Sequence, residues 1–283
     1  MVSIVLALAA SLSWGVSDFL GGLTSRRLSI IAVLLISQAV GLIMVVPAIL
    51  MSDQPPVDGP ARVSAIAGSI AGLIGIAALY RAIAIGMASI AAPISATGAA
   101  IPVVVGYLRG EPTSAWQEVG IALAIGGVVL SAWTAGDPRH SNRARRLISA
   151  GSGFALLAAA GFGCFFVLLH DASTYSVLWA TFVQRLTSVG ILLVVTLVLR
   201  PSLAVGWRRA PRLLAIGALD QGANLLYGFA STVGLVSLAA VLASLFPVVT
   251  VILARAILHE RISRTQQTGV ACALAGVALI AGG

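Results

Sequence analysis

The chain has 283 residues, of which 59% are apolar and only 9% charged, with a mean hydropathy of +1.05. A soluble domain carries about a quarter of its residues as charges, so this composition excludes a water-coated globule and points to lipid as the solvent. The net charge of +8 comes from 17 basic residues, all arginine; most of them fall in loops between apolar runs, where they report topology and do not signal nucleic acid.

Ten apolar runs are each long enough to cross a bilayer, which takes about 20 helical residues at about 1.5 Å rise. In chain order they are 2–23, 29–51, 63–85, 88–108, 115–134, 148–170, 175–199, 211–233, 236–258 and 266–282. The alternating polar residues of a membrane strand are absent, so helices are expected and a barrel is not. Ala9-Ala10-Ser11 in the first run resembles a cleavage site. No basic residue precedes the run and it is too long for a signal peptide, so a spanning helix is the better reading.

The first run places Ser11, Trp14, Gly15 and Asp18 on one face, since spacings of three, four and seven share a helix side. Gln38 lies in the second run, and Tyr80-Arg81 near the end of the third. The seventh holds Gln184-Arg185, and the eighth carries a polar stripe of Asp220, Asn224, Tyr227 and Ser231. Asp18, Arg81, Arg185 and Asp220 lie inside apolar runs. A central charge costs about 2.5–3.5 kcal/mol on insertion scales, so four unpaired ones would cost on the order of 10–14 kcal/mol. These residues must pair, protonate or face water.

A carboxylate at Asp18 in a poorly hydrated site could exchange a proton near neutral pH and compete with a solute; a salt bridge to Arg81 is the equal alternative. Arg81 could instead hold an anionic solute through its planar fork of donors. The candidate substrate-binding residues are therefore Trp14, Asp18, Tyr80, Arg81, Asp220, Asn224 and Tyr227. Asp18 and Asp220 are the candidate proton-coupling acids, and Gln38 and Arg185 have structural or secondary roles.

Gly68, Gly72, Gly75, Gly120 and Gly127 are expected to permit close helix packing. Cys164 and Cys272 read as small buried apolar residues. His140, His170 and His259 are isolated and lack metal-ligand spacing, and no phosphate-cradling loop occurs, so neither metal nor cofactor is expected.

Arginines concentrate in alternate loops. Those after the odd-numbered runs hold twelve, from Arg26 and Arg27 to Arg261 and Arg264, whereas the even-numbered loops hold Arg62 and Arg109. The positive-inside rule places the odd loops in the cytoplasm and, with ten helices, both termini outside the cell membrane. Trp116, Trp133, Trp179 and Trp207 near run ends fit an aromatic belt.

The chain also repeats itself. Gly15 matches Gly161, Gln38 matches Arg185, and Leu79-Tyr80 matches Leu226-Tyr227. Glu111, Gly120 and Gly127 match Glu260, Gly269 and Gly276, with offsets that stay between 146 and 149. Gly86-Met87-Ala88-Ser89 and the stretch around Gly234 form equally short links. Five helices is an odd number, so the second copy must enter the membrane from the opposite side. The expected fold is an all-α membrane protein of two inverted five-helix repeats, 1–136 and 148–283, joined by the basic segment 137–147. Such inverted repeats recur in secondary transporters, with the solute site near the midplane between them.

With Trp14-Gly15, Arg185, the glycine-spaced Glu111 and Glu260, and Pro247 thirteen residues before Glu260, the chain resembles the EamA type of the drug/metabolite transporter superfamily. It departs from that pattern where Gly98 replaces a proline and Gln38 an arginine. The resemblance implies ten helices and a cavity lined by helices 1, 3, 4, 6, 8 and 9. It also implies export of amino acids, other metabolites or toxic compounds, driven by an ion gradient or the solute's own. The expected partners are a small solute, the lipid bilayer and protons, and a homodimer is compatible with the sequence. The expected function is an exporter rather than an enzyme. The alternatives are uptake of a small anionic solute, or a sensor or accessory subunit that moves nothing.

Overall fold

A computed structural model of the chain describes residues 1–85, 91, 94–95, 97–133, 142–258 and 264–282. Every long element among them is an α-helix: α1 Val2–Thr24, α2 Ile30–Leu50, α3 Gly59–Ala84, α4 Ala100–Leu108, α5 Ala115–Trp133, α6 Asn142–Ser173, α7 Val177–Leu199, α8 Ala210–Thr232, α9 Val236–Ala243, α10 Phe246–Leu258 and α11 Arg264–Gly282. Five segments combine length with a composition fit to cross a membrane: α1, α2, α3, residues 153–173 of α6, and α7. Gly86-Met87-Ala88-Ser89, Arg139, His140, His259, Glu260 and Arg261 lie outside the described residues.

Three run boundaries differ from the sequence reading, each for a local reason. α3 starts at Gly59 because Pro60 fits the first turn, where its missing N–H is not needed. α6 starts at Asn142, so it takes in part of the basic segment expected to be a link. The ninth run is two helices, not one, with the break at Ser244-Leu245. Pro247 cannot donate to the carbonyl of residue 243, and a proline ring crowds the carbonyl four residues earlier. The backbone tightens there into bonds from Leu245 N to Leu242 O and from Val248 N to Leu245 O.

The surface inverts the order of a soluble protein. Val63, Ile66, Ile70 and Ile74 form an exposed apolar stripe on α3, and Leu193, Val194, Leu197 and Val198 another on α7. Asp18, Gln38, Gln184, Arg185, Asp220, Gln221 and Asn224 are buried instead. Apolar residues outside and polar ones inside is the arrangement that hydrocarbon solvent selects.

The helices pack across the two halves of the chain: α3 lies along α6, α5 along α11, α1 against α8, and α2 against α7 and α8. Glycine makes the closest approaches possible. A Cβ on Gly161 would sit 2.7 Å from the Ala71 carbonyl and 2.8 Å from the Gly75 Cα, so α3 and α6 touch backbone to backbone. Gly72 and Gly75 receive the rings of Phe165 and Phe162, and Gly276 meets the Gly120 carbonyl in the α5–α11 pair. The expected packing role holds at Gly72, Gly75 and Gly120. Cys164 is exposed on α6, not buried as expected.

One end of the bundle is tied across the halves. Glu111, after α4, accepts from the backbone N–H of Val236 at 2.7 Å and of Ser237 at 3.2 Å, and from the Ser237 hydroxyl. It thus supplies an anion to the otherwise unsatisfied first turn of α9. Arg109 grips Asp171 with two bonds of 2.6 and 3.0 Å. Trp179 Nε1 donates to the Gln54 carbonyl at 2.8 Å, and Ser3 Oγ to the Ala230 carbonyl at 2.8 Å.

Candidate functional site

The convergence of α1, α2, α3, α6, α7, α8 and α10 leaves a cavity of about 570 Å³, counting its open mouth. Its wall comes from both halves of the chain. Trp14, Asp18, Gln38, Ser69 and Gly72 stand on one side; Phe165, Gln184, Arg185, Asp220 and Asn224 are among those on the other.

Three ionisable groups line it, and two are joined. Arg185 Nη1 donates to Asp220 Oδ2 at 2.7 Å in a pair whose side chains are 3% and 8% exposed. The same nitrogen donates to Gln38 Oε1, and Nε donates to Gln221 Oε1 at 2.6 Å. The Gln38 amide also approaches Asp220 Oδ2, at 3.5 Å. Helices α2, α7 and α8 are thereby stitched by one buried polar cluster. Extra hydrogen bonds help a buried ion pair survive; here they engage Nη1 and Nε of Arg185, while Arg185 Nη2 and Gln221 Nε2 are buried without a hydrogen bond.

Asp18 stands apart. It is 4% exposed and has no hydrogen-bond or ion-pair partner among the described residues. The anticipated bridge to Arg81 is not formed, and Arg81 does not line the cavity. Arg81 is exposed in the last turn of α3. The helix has 26 residues, about 39 Å at about 1.5 Å each, against a hydrocarbon core of about 30 Å. At that length the helix has room for polar ends, and Arg81, in its last turn, favours the helix dipole there.

Other residues complete the wall. Trp14 Nε1 donates to Asn224 Oδ1 at 3.1 Å. The indole packs against Phe165, Phe166 and Tyr227 with ring centroids 5.6–6.1 Å apart. Tyr227 is fully buried behind this layer, and its hydroxyl donates to the Phe166 carbonyl at 2.9 Å. It supports the site without lining it. Tyr80 is likewise buried behind the wall, with its ring against Gly21. Ser69 Oγ donates to the Gln184 carbonyl at 2.8 Å and shares a 2.8 Å bond with Ser188 Oγ. The Gln184 side-chain amide is buried with neither its oxygen nor its nitrogen bonded.

Of the residues singled out in the sequence, Trp14, Asp18, Asp220 and Asn224 line this one cavity. The sequence reading assigned no cavity role to the second and seventh spans, which contribute Gln38, Gln184, Arg185 and Ser188. It also missed the aromatic wall. Phe162, Phe165 and Phe166 share a face of α6 at spacings of three and four, a signal indistinguishable from core packing in the sequence alone.

The EamA-like transporter family model matches residues 1–133 and 149–282. The chain belongs to the EamA-like transporter family. It is therefore an integral membrane protein of a transporter family, within the drug/metabolite transporter superfamily. No curated protein sequence matches it significantly. One solved crystal structure shares 16% identity with it at a TM-score of 0.76, over 98% of this chain and 96% of its own. A likeness at that identity shows a common fold. The cavity of this family member thus holds one carboxylate, Asp18, with no partner among the described residues.

Proposed function

We propose that the protein is a secondary transporter of the plasma membrane that exports a small metabolite or toxic compound by alternating access. Two inverted five-helix repeats would rock about the cavity. Support for the repeat comes from the packing pattern. Exchanging the halves turns the α1–α8 contact into the α6–α3 contact and maps the α2–α7 and α5–α11 contacts onto themselves. The arginine bias sets the odd loops in the cytoplasm and the termini outside. On that orientation, the end tied by Glu111, Arg109, Gln54 and Ser3 is the outer one.

Asp18 is the residue on which the reading rests. A buried carboxylate with no partner among the described residues, on the wall of a cavity, is costly unless it takes a proton or a ligand. In this reading Asp18 exchanges a proton for solute in each cycle, while Asp220 is engaged by Arg185 and tunes the charge nearby.

The test is an export profile. Bacteria overproducing the wild type and an equally expressed Asp18→Asn variant are compared for secreted metabolites and for resistance to toxic analogues. A solute exported by the wild type alone, with flux that follows an imposed proton gradient, is the expected result. Equal profiles over a broad panel would contradict it.

A further inference from the structure

The charge count of the cavity selects a class of solute, and this step rests on the transport reading only for movement, not for binding. The charged groups on the wall are Asp18, Asp220 and Arg185. Arg185 is engaged by Asp220, Gln38 and Gln221. With all three ionised, the cavity carries one uncompensated negative charge, and that charge is at Asp18. We infer that the cavity binds a monovalent organic cation, with its ammonium or comparable group at Asp18 and its apolar body among the aromatic rings.

Three independent features agree. First, five of the sixteen wall residues are aromatic: Trp14, Phe162, Phe165, Phe166 and Phe246. Ring faces attract a cation, more strongly when both are withdrawn from water, and tryptophan does so best. They also give an apolar body a large contact area. Second, the unbonded Gln184 amide is 3% exposed and lines the same space. Its oxygen can accept from an ammonium N–H, and its nitrogen can donate to a hydroxyl or ether on the ligand. Third, competing ligand classes fit badly. An anion would meet two carboxylates, and although Arg185 Nη2 is unbonded, it belongs to a guanidinium whose charge Asp220 already balances, so an anion would add a second uncompensated negative charge beside Asp18. A neutral solute would leave Asp18 as costly as before.

Electroneutrality supplies the exchange. Protonated Asp18 gives its proton to water at the cavity mouth as the cation arrives, so one positive charge replaces another. Proton and cation compete for one carboxylate, and cation affinity falls as pH falls. The titratable groups facing Asp18 from the neighbouring helices are Asp220 on α8 and Tyr80 on α3, and Arg185 on α7 lines the same cavity.

Equilibrium dialysis of the purified full-length protein tests this directly. The cation probes are tetramethylammonium, benzyltrimethylammonium and tetraphenylphosphonium, which span three sizes. Phenylacetate is the anion and 2-phenylethanol the neutral control. At least one cation is expected to bind, with a Kd that rises up to tenfold per pH unit on acidification. Asp18→Asn should weaken that binding at least tenfold and flatten its pH dependence. Asp18→Glu keeps the carboxylate and should retain binding, which guards against a folding defect. Binding of phenylacetate or 2-phenylethanol in preference to every cation would overturn the inference, as would cation binding that is indifferent to Asp18→Asn.

Counterflow in proteoliposomes separates the two readings. Flux of the anion or the neutral solute without the cations sinks the cation site and leaves the transporter. Cation binding that depends on Asp18, without flux, supports the site and counts against the transporter.

Discussion

Asp18 on α1 and Asp220 on α8 are the same residue in nearly the same place. Both are about 95% buried and both line one cavity. Asp220 has a guanidinium at 2.7 Å and an amide network behind it; Asp18 has no partner among the described residues. Depth in the membrane therefore does not decide what an intramembrane charge is for. The inventory of donors around it does. One carboxylate holds α2, α7 and α8 together, and the other is left for something that enters from outside the chain.

The largest effect should come from making the two acids alike. Arg185→Met strips Asp220 of its partner and leaves a buried charge unpaired, which costs about 3–5 kcal/mol. Thermal unfolding in detergent should show a large fall in Tm. Removing both partners, as Arg185→Met with Asp220→Leu, should recover most of that loss, because an apolar pair of similar volume tolerates the same space. Failure of the double variant to recover would mean that the cluster does more than balance its own charges.

The wall behind the acids should respond less. Gly161→Ala forces a methyl into the Ala71 carbonyl and the Gly75 backbone, and backbone cannot rotate away. Overpacking of this kind typically costs about 1–3 kcal/mol. Urea unfolding should show that loss, together with a weaker grip on solute from a spread α3–α6 wall.

The smallest effect is expected at Tyr227→Phe. It removes one buried hydrogen bond to the Phe166 carbonyl and keeps the ring beside Trp14. A loss of about 1 kcal/mol is expected, with solute affinity unchanged. A marked fall in affinity would bring the Tyr227 hydroxyl into the site and not merely behind it.

Much of this was legible in the sequence because bilayer crossing imposes long apolar runs, and a charge inside such a run is conspicuous. The Asp220–Asn224 spacing of four and the Trp14–Asp18 spacing of four gave two cavity faces directly. Pairing was not legible. Arg185 meets Asp220 and Gln38 only because three helices converge, and residues 38 and 185 are 147 positions apart. No local pattern encodes that meeting. Arg81 misled for a different reason: it lies exposed in the last turn of α3, and a place inside an apolar run did not say which way its side chain would face. The split of the ninth run was signalled by Pro247, but a proline alone does not say whether a helix kinks or stops. The phenylalanines of α6 were visible as a face, yet a face that packs against a helix and one that packs against a solute have the same periodicity.

One paired measurement tests the division of labour between the two acids. Asp18→Asn and Asp220→Asn are purified side by side, and thermal stability and proton-driven solute flux are recorded for both. Asp220→Asn should unfold at clearly lower temperature, since Arg185 loses its counter-charge. Asp18→Asn should unfold no earlier than the wild type, because it removes an uncompensated carboxylate, and its pH-dependent flux should vanish. An Asp18→Asn protein that is as unstable as Asp220→Asn, or that still couples flux to pH, would contradict the assignment of Asp18 as the working acid.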